Sequence, residues 1–299
     1  DEDRISKLPD DILLAILEKV SMSTVIRTSS LSTRWRHLPL LLSHLYLEAE
    51  YFMPQNSTTA VDDESVKEAM SDLIKLSSIR TLSLRVGLIT DLLLDIGKLV
   101  CDSVDSGKLK NLELEIPTVK KSDSSGNKDM RERAQSLMFF FDSSPRLFGC
   151  LTKLFLFNAS FTEPDMHRLL LSCELLQNLI LYDCDIGYLS ILKMDLPNSK
   201  LRALELCSCS FEMVQLICLP KLVLLQLKLI CTATSDHTRF KITELLGDTT
   251  NVQALTLNFH GEKASILLSL LFNIHEEKCF YAIRTIEQYL IAFTLFCPY

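Results

Sequence analysis

Between Ile79 and Leu257 apolar residues fall seven times into one frame, L-x-x-L-x-L. The seven are Ile79-Leu82-Leu84, Leu109-Leu112-Leu114, Leu151-Leu154-Leu156, Leu176-Leu179-Leu181, Leu201-Leu204-Leu206, Leu222-Leu225-Leu227 and Val252-Leu255-Leu257. The central positions lie 30, 42, 25, 25, 21 and 30 residues apart. Alternation inside each frame predicts a short strand with its leucines turned to a core and the residues between them turned the other way. An eighth, weaker frame sits at Leu42-Leu45-Leu47.

The front of the chain follows the other period. Ile12, Leu13, Ile16, Leu17 and Val20 recur at one-turn spacing with Glu18 and Lys19 off the stripe, which predicts an amphipathic helix. Pro9 suits its first position, and Asp10 and Asp11 face the positive end of the macrodipole. Ser23 predicts the cap of a second helix running to about Leu31, and Ser32 the cap of a third that carries Trp35. Three helices in so short a stretch leave large apolar side chains with no partner inside it, so they must be buried against something else.

Two stretches break the pattern. Residues 117–136 are rich in Lys, Ser, Asp and Gly and carry no apolar period, so they are expected to loop out before Leu137-Met138-Phe139-Phe140-Phe141 restores a buried element. From about Ala264 the frame is lost, and Ile266 to Ile274 followed by Cys279 to Tyr299 reads as one or two apolar helices broken by Arg284 and Glu287. That tail is either a helical cap over the last strand unit or an atypical terminus with exposed hydrophobic surface.

The run Leu8-Pro9-Asp10-Asp11-Ile12-Leu13, then Ile16-Leu17, then Leu31-Ser32-x-Arg34-Trp35-Arg36-x-Leu38 resembles the F-box of large plant families. The likeness runs from Arg4 to Leu38, with one departure: Ser21-Met22-Ser23-Thr24 stands where that family usually has a charged pair. The repeated frame resembles the leucine-rich repeat, in which each unit supplies one parallel strand to a curved solenoid. Cys184 and Cys209 occupy the asparagine-or-cysteine position of that repeat. Together these features resemble the plant F-box proteins with leucine-rich repeats, of the F-box/LRR and F-box/FBD/LRR kinds.

The resemblance implies an α/β chain: a three-helix F-box over 1–46, an irregular leucine-rich-repeat solenoid over 47–263 and the tail over 264–299. It further implies that Leu8, Pro9, Ile12, Ile16, Leu17, Leu31 and Trp35 contact the Skp-type adaptor of a cullin-based ubiquitin ligase. The repeat would then hold a protein to be ubiquitinated, making the chain a substrate receptor and not itself an enzyme.

Strand alternation refines where such a protein would sit. Phe155 and Phe157 of one frame and Ile180 and Tyr182 of the next point to the face away from the leucines, rimmed by Glu113, Glu115, Glu205, Lys153 and Lys228. Apolar anchors inside and charges outside make a protein-binding hot spot. The competing reading is that a terminal element folds over these rings and buries them as core.

Composition narrows the classes. The chain has 299 residues, with 31 Lys and Arg against 38 Asp and Glu and a formal charge of −7, so no basic excess matches a phosphate backbone. Its longest uncharged run, Thr249 to Gly261, is too short and too polar to span a bilayer. Ten cysteines, with no segment read as a signal peptide, point to reduced thiols and a cytoplasmic or nuclear setting. Phosphate loops, nucleophile elbows and H-E-x-x-H are missing, and no cofactor or metal is expected. Cys207-x-Cys209 is read as structural, its side chains on opposite faces, and Asp183-Cys184-Asp185 as turn residues. Two alternatives stay open: a hormone-like small-molecule sensor, and a repeat scaffold or pseudogene product with no ligase link.

Overall fold

The computed structural model describes residues 4–20, 22–28, 30–48, 79–85, 90–117, 127–187, 191–209, 211, 213–230, 249, 252–260, 281–287 and 290–296. It is a mixed α/β structure whose strands pair mostly in parallel. The chain divides into two compact units, Asp1–Pro117 and Thr118–Tyr299.

In the first unit, α1 (Asp10–Leu17), α2 (Met22–Thr28) and α3 (Thr33–His37) precede a 3-10 turn at Leu38–Leu41. Pro9 is the N-cap of α1 and not its first residue: its backbone is extended at ψ 155°, and its carbonyl accepts from Leu13 N at 3.1 Å. Ser32 caps α3, its hydroxyl accepting from Trp35 N at 3.3 Å. Arg34 then ties the third helix to the start of the first, donating to the Ser6 and Leu8 carbonyls, each at 2.6 Å, and to Asp10 Oδ1 at 2.8 Å.

Strands β1 (His44–Glu48), β2 (Thr81–Arg85) and β3 (Asn111–Ile116) follow, with α4 (Thr90–Asp105) between the last two. They pair in parallel and in register, Leu45 beside Leu82 beside Leu112 and Leu47 beside Leu84 beside Leu114. All six leucines are buried.

The second unit opens with α5 (Asn127–Ser143) and α6 (Pro145–Cys150), followed by β4 (Lys153–Phe157), α7 (Glu163–Ser172) and β5 (Asn178–Tyr182). Next come β6 (Ile191–Asp195), β7 (Ala203–Cys209), β8 (Met213–Cys218), β9 (Leu224–Ile230) and β10 (Ala254–His260), then β11 (Tyr281–Glu287) and β12 (Leu290–Phe296). The sheet order is β4-β5-β7-β9-β10-β12-β11, while β6 and β8 form a separate parallel pair. Every frame of the apolar repeat coincides with one strand, and the weak eighth frame coincides with β1. Leu154, Leu179, Leu204 and Leu225 stand in register, and each is 1% exposed or less. Burying one such side chain contributes on the order of 2 kcal/mol.

The backbone repeats with the side chains. Ser43, Arg80, Thr152, Gln177 and Arg202 each use one carbonyl to accept from two successive N–H groups at the entry of the neighbouring strand, at 2.7 to 3.1 Å. Just past β4 and β5, and at the register shift near the end of β7, Asn158, Asp183 and Ser208 all take left-handed backbone, φ 49°, 50° and 54°. Asn158 N donates to Tyr182 O and Asp183 N to Cys207 O, at 2.8 and 3.0 Å, so these corners stack on one another. The residue after each corner is small and buried: Ala159, Cys184 and Cys209.

Two further expectations are corrected. Residues 127–136 are helical and not looped: Asp129 lies in the first turn, Lys128 pairs with Glu132 one turn on, and Ala134 is buried. The helix continues into Phe140 and Phe141, whose rings meet Phe148 edge-on at 5.4 and 5.2 Å, so its apolar end is anchored by α6. The rest of the expected loop lies outside the described residues. In the tail, residues 281–287 and 290–296 are antiparallel strands and not helices. Ile283, Thr285, Ile286, Ile291 and Thr294 are β-branched, which favours the pleated state, and β12 pairs along β10. The proposed helix over 266–274 lies outside the described residues.

Candidate functional site

Two surfaces carry the residues singled out by the sequence. On the first, α1 packs Leu13 and Leu17 inward, at 0% and 2% exposure, and turns Ile12 and Ile16 outward at 45% and 41%. Pro9 is exposed, Leu8 is half-buried and Leu31 is 66% exposed. Ile5 and Leu41 are also exposed apolar side chains, and so is Val20, which the periodicity places on the apolar stripe.

Leu17 and Trp35 do not belong to that outward set. Trp35 is 4% exposed and donates its indole N–H to Ser6 Oγ at 3.1 Å, so ring and polar edge are both satisfied inside the unit. Neither residue is available to a partner docking on the folded chain. The reason is geometric: in α1 the apolar stripe is wide enough to have two sides, and sequence spacing does not say which side the other helices take.

The second surface lies on the second unit. Register places Phe155 beside Ile180 and Phe157 beside Tyr182 on neighbouring strands. The Phe155 and Phe157 centroids are 4.6 Å apart, those of Phe157 and Tyr182 4.8 Å, and the rings of each pair are tilted by 38°. Phe155, Phe157 and Ile180 are half-buried and Tyr182 is 37% exposed. Among the described residues, then, no terminal element closes over these rings.

The charges expected around them divide differently. Glu205 stands beside Ile180 on β7, half-buried, and Lys153 heads the β4 row. Lys228 lies in register with Cys207 on β9, and its side chain is outside what the structure describes. Glu113 and Glu115 belong to the first unit and are engaged there, so they are not free rim carboxylates. Ser83 Oγ donates to Glu113 Oε2 at 2.7 Å, and Ser83 has one hydroxyl proton, so it accepts from His44 Nε2 at 2.7 Å. Arg85 lies between Glu48 and Glu115, at 3.1 and 3.2 Å. Burial opposes the charged guanidinium, yet Tyr46, Glu115 and Glu48 hold its pKa above the ordinary value, while burial pushes the Tyr46 hydroxyl up.

The cysteine and aspartate motifs are structural. Positions two apart on a regular strand share a face; the register shift at left-handed Ser208 is what separates Cys207 from Cys209. Cys209 Sγ donates to Leu181 O at 3.4 Å, and Cys184 Sγ to Tyr182 O at 3.4 Å. Burial pushes the Cys184 thiol up to about 12 and holds the Cys209 thiol well above its ordinary value. Asp185 accepts from Ser160 Oγ at 2.5 Å and Gly187 N at 3.0 Å, closing a turn. Burial raises Asp183. Among the described residues no cluster of His, Cys, Asp and Glu is placed to hold a metal ion, and no helix is long and apolar enough to cross a membrane.

Residues 5–42 match the F-box domain, so the α1–α3 segment and the turn after it carry that domain. The chain's relatives are F-box/FBD/LRR-repeat proteins of Arabidopsis thaliana. It is 38% identical over 87 residues to an FBD-associated F-box protein, covering 27% of this chain and 19% of the relative. A putative F-box/FBD/LRR-repeat protein is 36% identical over 114 residues, covering 38% of this chain and 26% of the relative. A second FBD-associated F-box protein is 27% identical over 221 residues, covering 69% of this chain and 49% of the relative. The chain thus spans about half or less of the length of the curated relatives it matches.

Proposed function

We propose that this chain is the substrate-recognition subunit of a Skp-cullin-F-box ubiquitin ligase. Its F-box docks a Skp-type adaptor, and the outward face of the L-x-x-L-x-L strands, read as a leucine-rich-repeat solenoid behind a three-helix F-box, holds the target. The observation that carries this reading is the F-box match over residues 5–42 together with the exposed Ile12 and Ile16 on α1. F-box domains generally bind Skp-type adaptors. Two isoleucines one turn apart give such a partner an apolar ridge to cover.

In this reading the chain performs no chemistry of its own. It holds the target's lysines close to a charged conjugating enzyme, and the gain is one of effective concentration. The setting is cytoplasmic or nuclear, and neither nucleic acid nor membrane is a partner. The aromatic face of the second unit supplies the target contact, since half-exposed rings at van der Waals distance offer a preformed apolar anchor site.

Co-expression with a Skp-type adaptor tests the proposal. The two chains are expected to co-elute on gel filtration, and a Leu8→Ala, Pro9→Ala variant or an Ile12→Lys, Ile16→Lys variant is expected to elute without the adaptor. Failure of the unmodified chain to retain the adaptor would sink the ligase reading.

A further inference from the structure

The outward side chains of the second unit change character from one strand to the next. Along the middle row, Phe155 of β4 stands beside Ile180 of β5, and Ile180 beside Glu205 of β7. Neighbouring strands are spaced at about 4.8 Å, which puts Glu205 about 5 Å from the Ile180 position and about 10 Å from that of Phe155. Among the described residues Glu205 has no ion-pair partner, and Ile180 and the rings beside it are too apolar to take that role. Lys153 lies on the other flank, two positions before Phe155 on the same strand and the same face.

This order has a polarity that a bound segment must match. An apolar side chain seated on Phe157 and Tyr182 has Glu205 on its β7 side, one outward row nearer the strand start, and Lys153 at the start of β4, while its own row runs on through Cys207 to the Lys228 position of β9. A lysine or arginine on the bound segment is attracted by Glu205 and repelled by Lys153, so its place lies toward β7. Extended chain advances about 3.3 Å per residue in a strand and about 3.1 Å in a polyproline helix, where every third side chain returns to one face. Tyr182 lies one strand across and two residues on from Glu205, and Phe157 two strands across, so their positions are about 8 and 12 Å from it; two to three residues of either conformation, about 6 to 10 Å, with the reach of a long side chain cover that span.

From this we propose that the face takes an extended protein segment carrying an aromatic or long aliphatic side chain and, two or three residues away, a lysine or arginine. The segment lies across the strands, apolar side chain on Phe157 and Tyr182, cation at Glu205. The proposal rests on the reading of this face as the target site, and it adds the kind of sequence the target presents.

The test is a displayed library of random ten-residue peptides selected on the immobilised full chain. Enriched peptides are expected to carry the apolar–basic pair at that spacing. Their binding should fall at least tenfold with Glu205→Lys, whose own selection should turn to Asp or Glu at the second position. Phe157→Ala with Tyr182→Ala should abolish enrichment. Should Glu205→Lys fail to fold, Glu205→Gln serves in its place, with a severalfold loss and no reversal of charge. Absence of enrichment, or recovery of the same peptides by parent and Glu205→Lys, overturns the proposal. Adaptor co-elution, measured on the same preparations, separates the two failures: adaptor bound without enrichment removes this target class alone, and enrichment without adaptor removes the ligase reading.

Discussion

Trp35 and Ser6 are joined by a hydrogen bond of 3.1 Å from the indole N–H to the serine hydroxyl, with the ring 4% exposed. Arg34, one residue earlier, holds the carbonyls of Ser6 and Leu8. The segment leading into α1 is therefore pinned by α3.

Trp35→Ala is expected to destabilise the first unit by about 3–5 kcal/mol, the range for removing a buried large ring. Trp35→Phe keeps most of the packing and loses one hydrogen bond, about 1 kcal/mol. Ile16→Lys, at an exposed position, should change stability by no more than about 0.5 kcal/mol while abolishing adaptor capture. Chemical unfolding and co-elution, run on all three, check this; a Trp35→Ala variant as stable as the parent would contradict the interior placement.

Phe157→Ala with Tyr182→Ala removes two rings that touch at 4.8 Å and are only partly covered. The loss of stability should be about 1–2 kcal/mol for the pair. Binding of selected target peptides should fall at least about tenfold, about 1.4 kcal/mol. Fluorescence anisotropy and thermal unfolding read the two quantities separately. A loss of several kcal/mol in stability would return these rings to the core.

The thiols of Cys173 and Cys184 are pushed up to about 12 by burial, from an ordinary 9.0. Iodoacetamide at pH 8 should therefore leave both unmodified in the folded chain while modifying half-buried Cys150 and Cys218. Mass spectrometry of the digested product checks the order. The same shift has a sign in stability. The unfolded chain releases these protons above pH 9 and the folded chain keeps them to about 12, so their contribution is complete below 9 and is lost as pH rises toward 12. Cys184→Ala should flatten that decline.

Ser208 holds left-handed backbone at φ 54° without the side-chain amide or carboxylate that eases Asn158 and Asp183 into the same region. Ser208→Gly should therefore be neutral or stabilising by up to about 1 kcal/mol, and Ser208→Val destabilising by about 1–2 kcal/mol or more. Denaturant midpoints of the two variants decide it. Equal midpoints would mean that the corner relaxes in solution.

Much of the strand layout was legible because its cause is local. In a frame such as Leu176-Leu179-Leu181 the leucines must leave water together, and only an extended chain brings two of them to one face two residues apart. The corner pairs Asn158-Ala159, Asp183-Cys184 and Ser208-Cys209 recur in the sequence at a 25-residue interval, of which the repeat frame and the turn chemistry marked only Cys184, Cys209 and the Asp183-Cys184-Asp185 turn. The helix over 127–136 was missed because it has little apolar period of its own and is extended from the anchored Phe140 and Phe141. The tail misled because Ile and Phe are compatible with helix or strand, and pairing with β10 settles the matter for β12.

By itself the sequence determined the period, the strand frames, the Ser32 cap of α3 and which side chains could share a row, since all of these follow from geometry within a few residues. Only the tertiary structure decided which side of the α1 stripe is inside, that Trp35 is a core residue, that Glu113 and Glu115 are already held by Ser83 and Arg85, and that Tyr182 stays open. Those outcomes depend on what arrives from elsewhere in the chain to exclude water or supply a partner, and no local pattern carries that information.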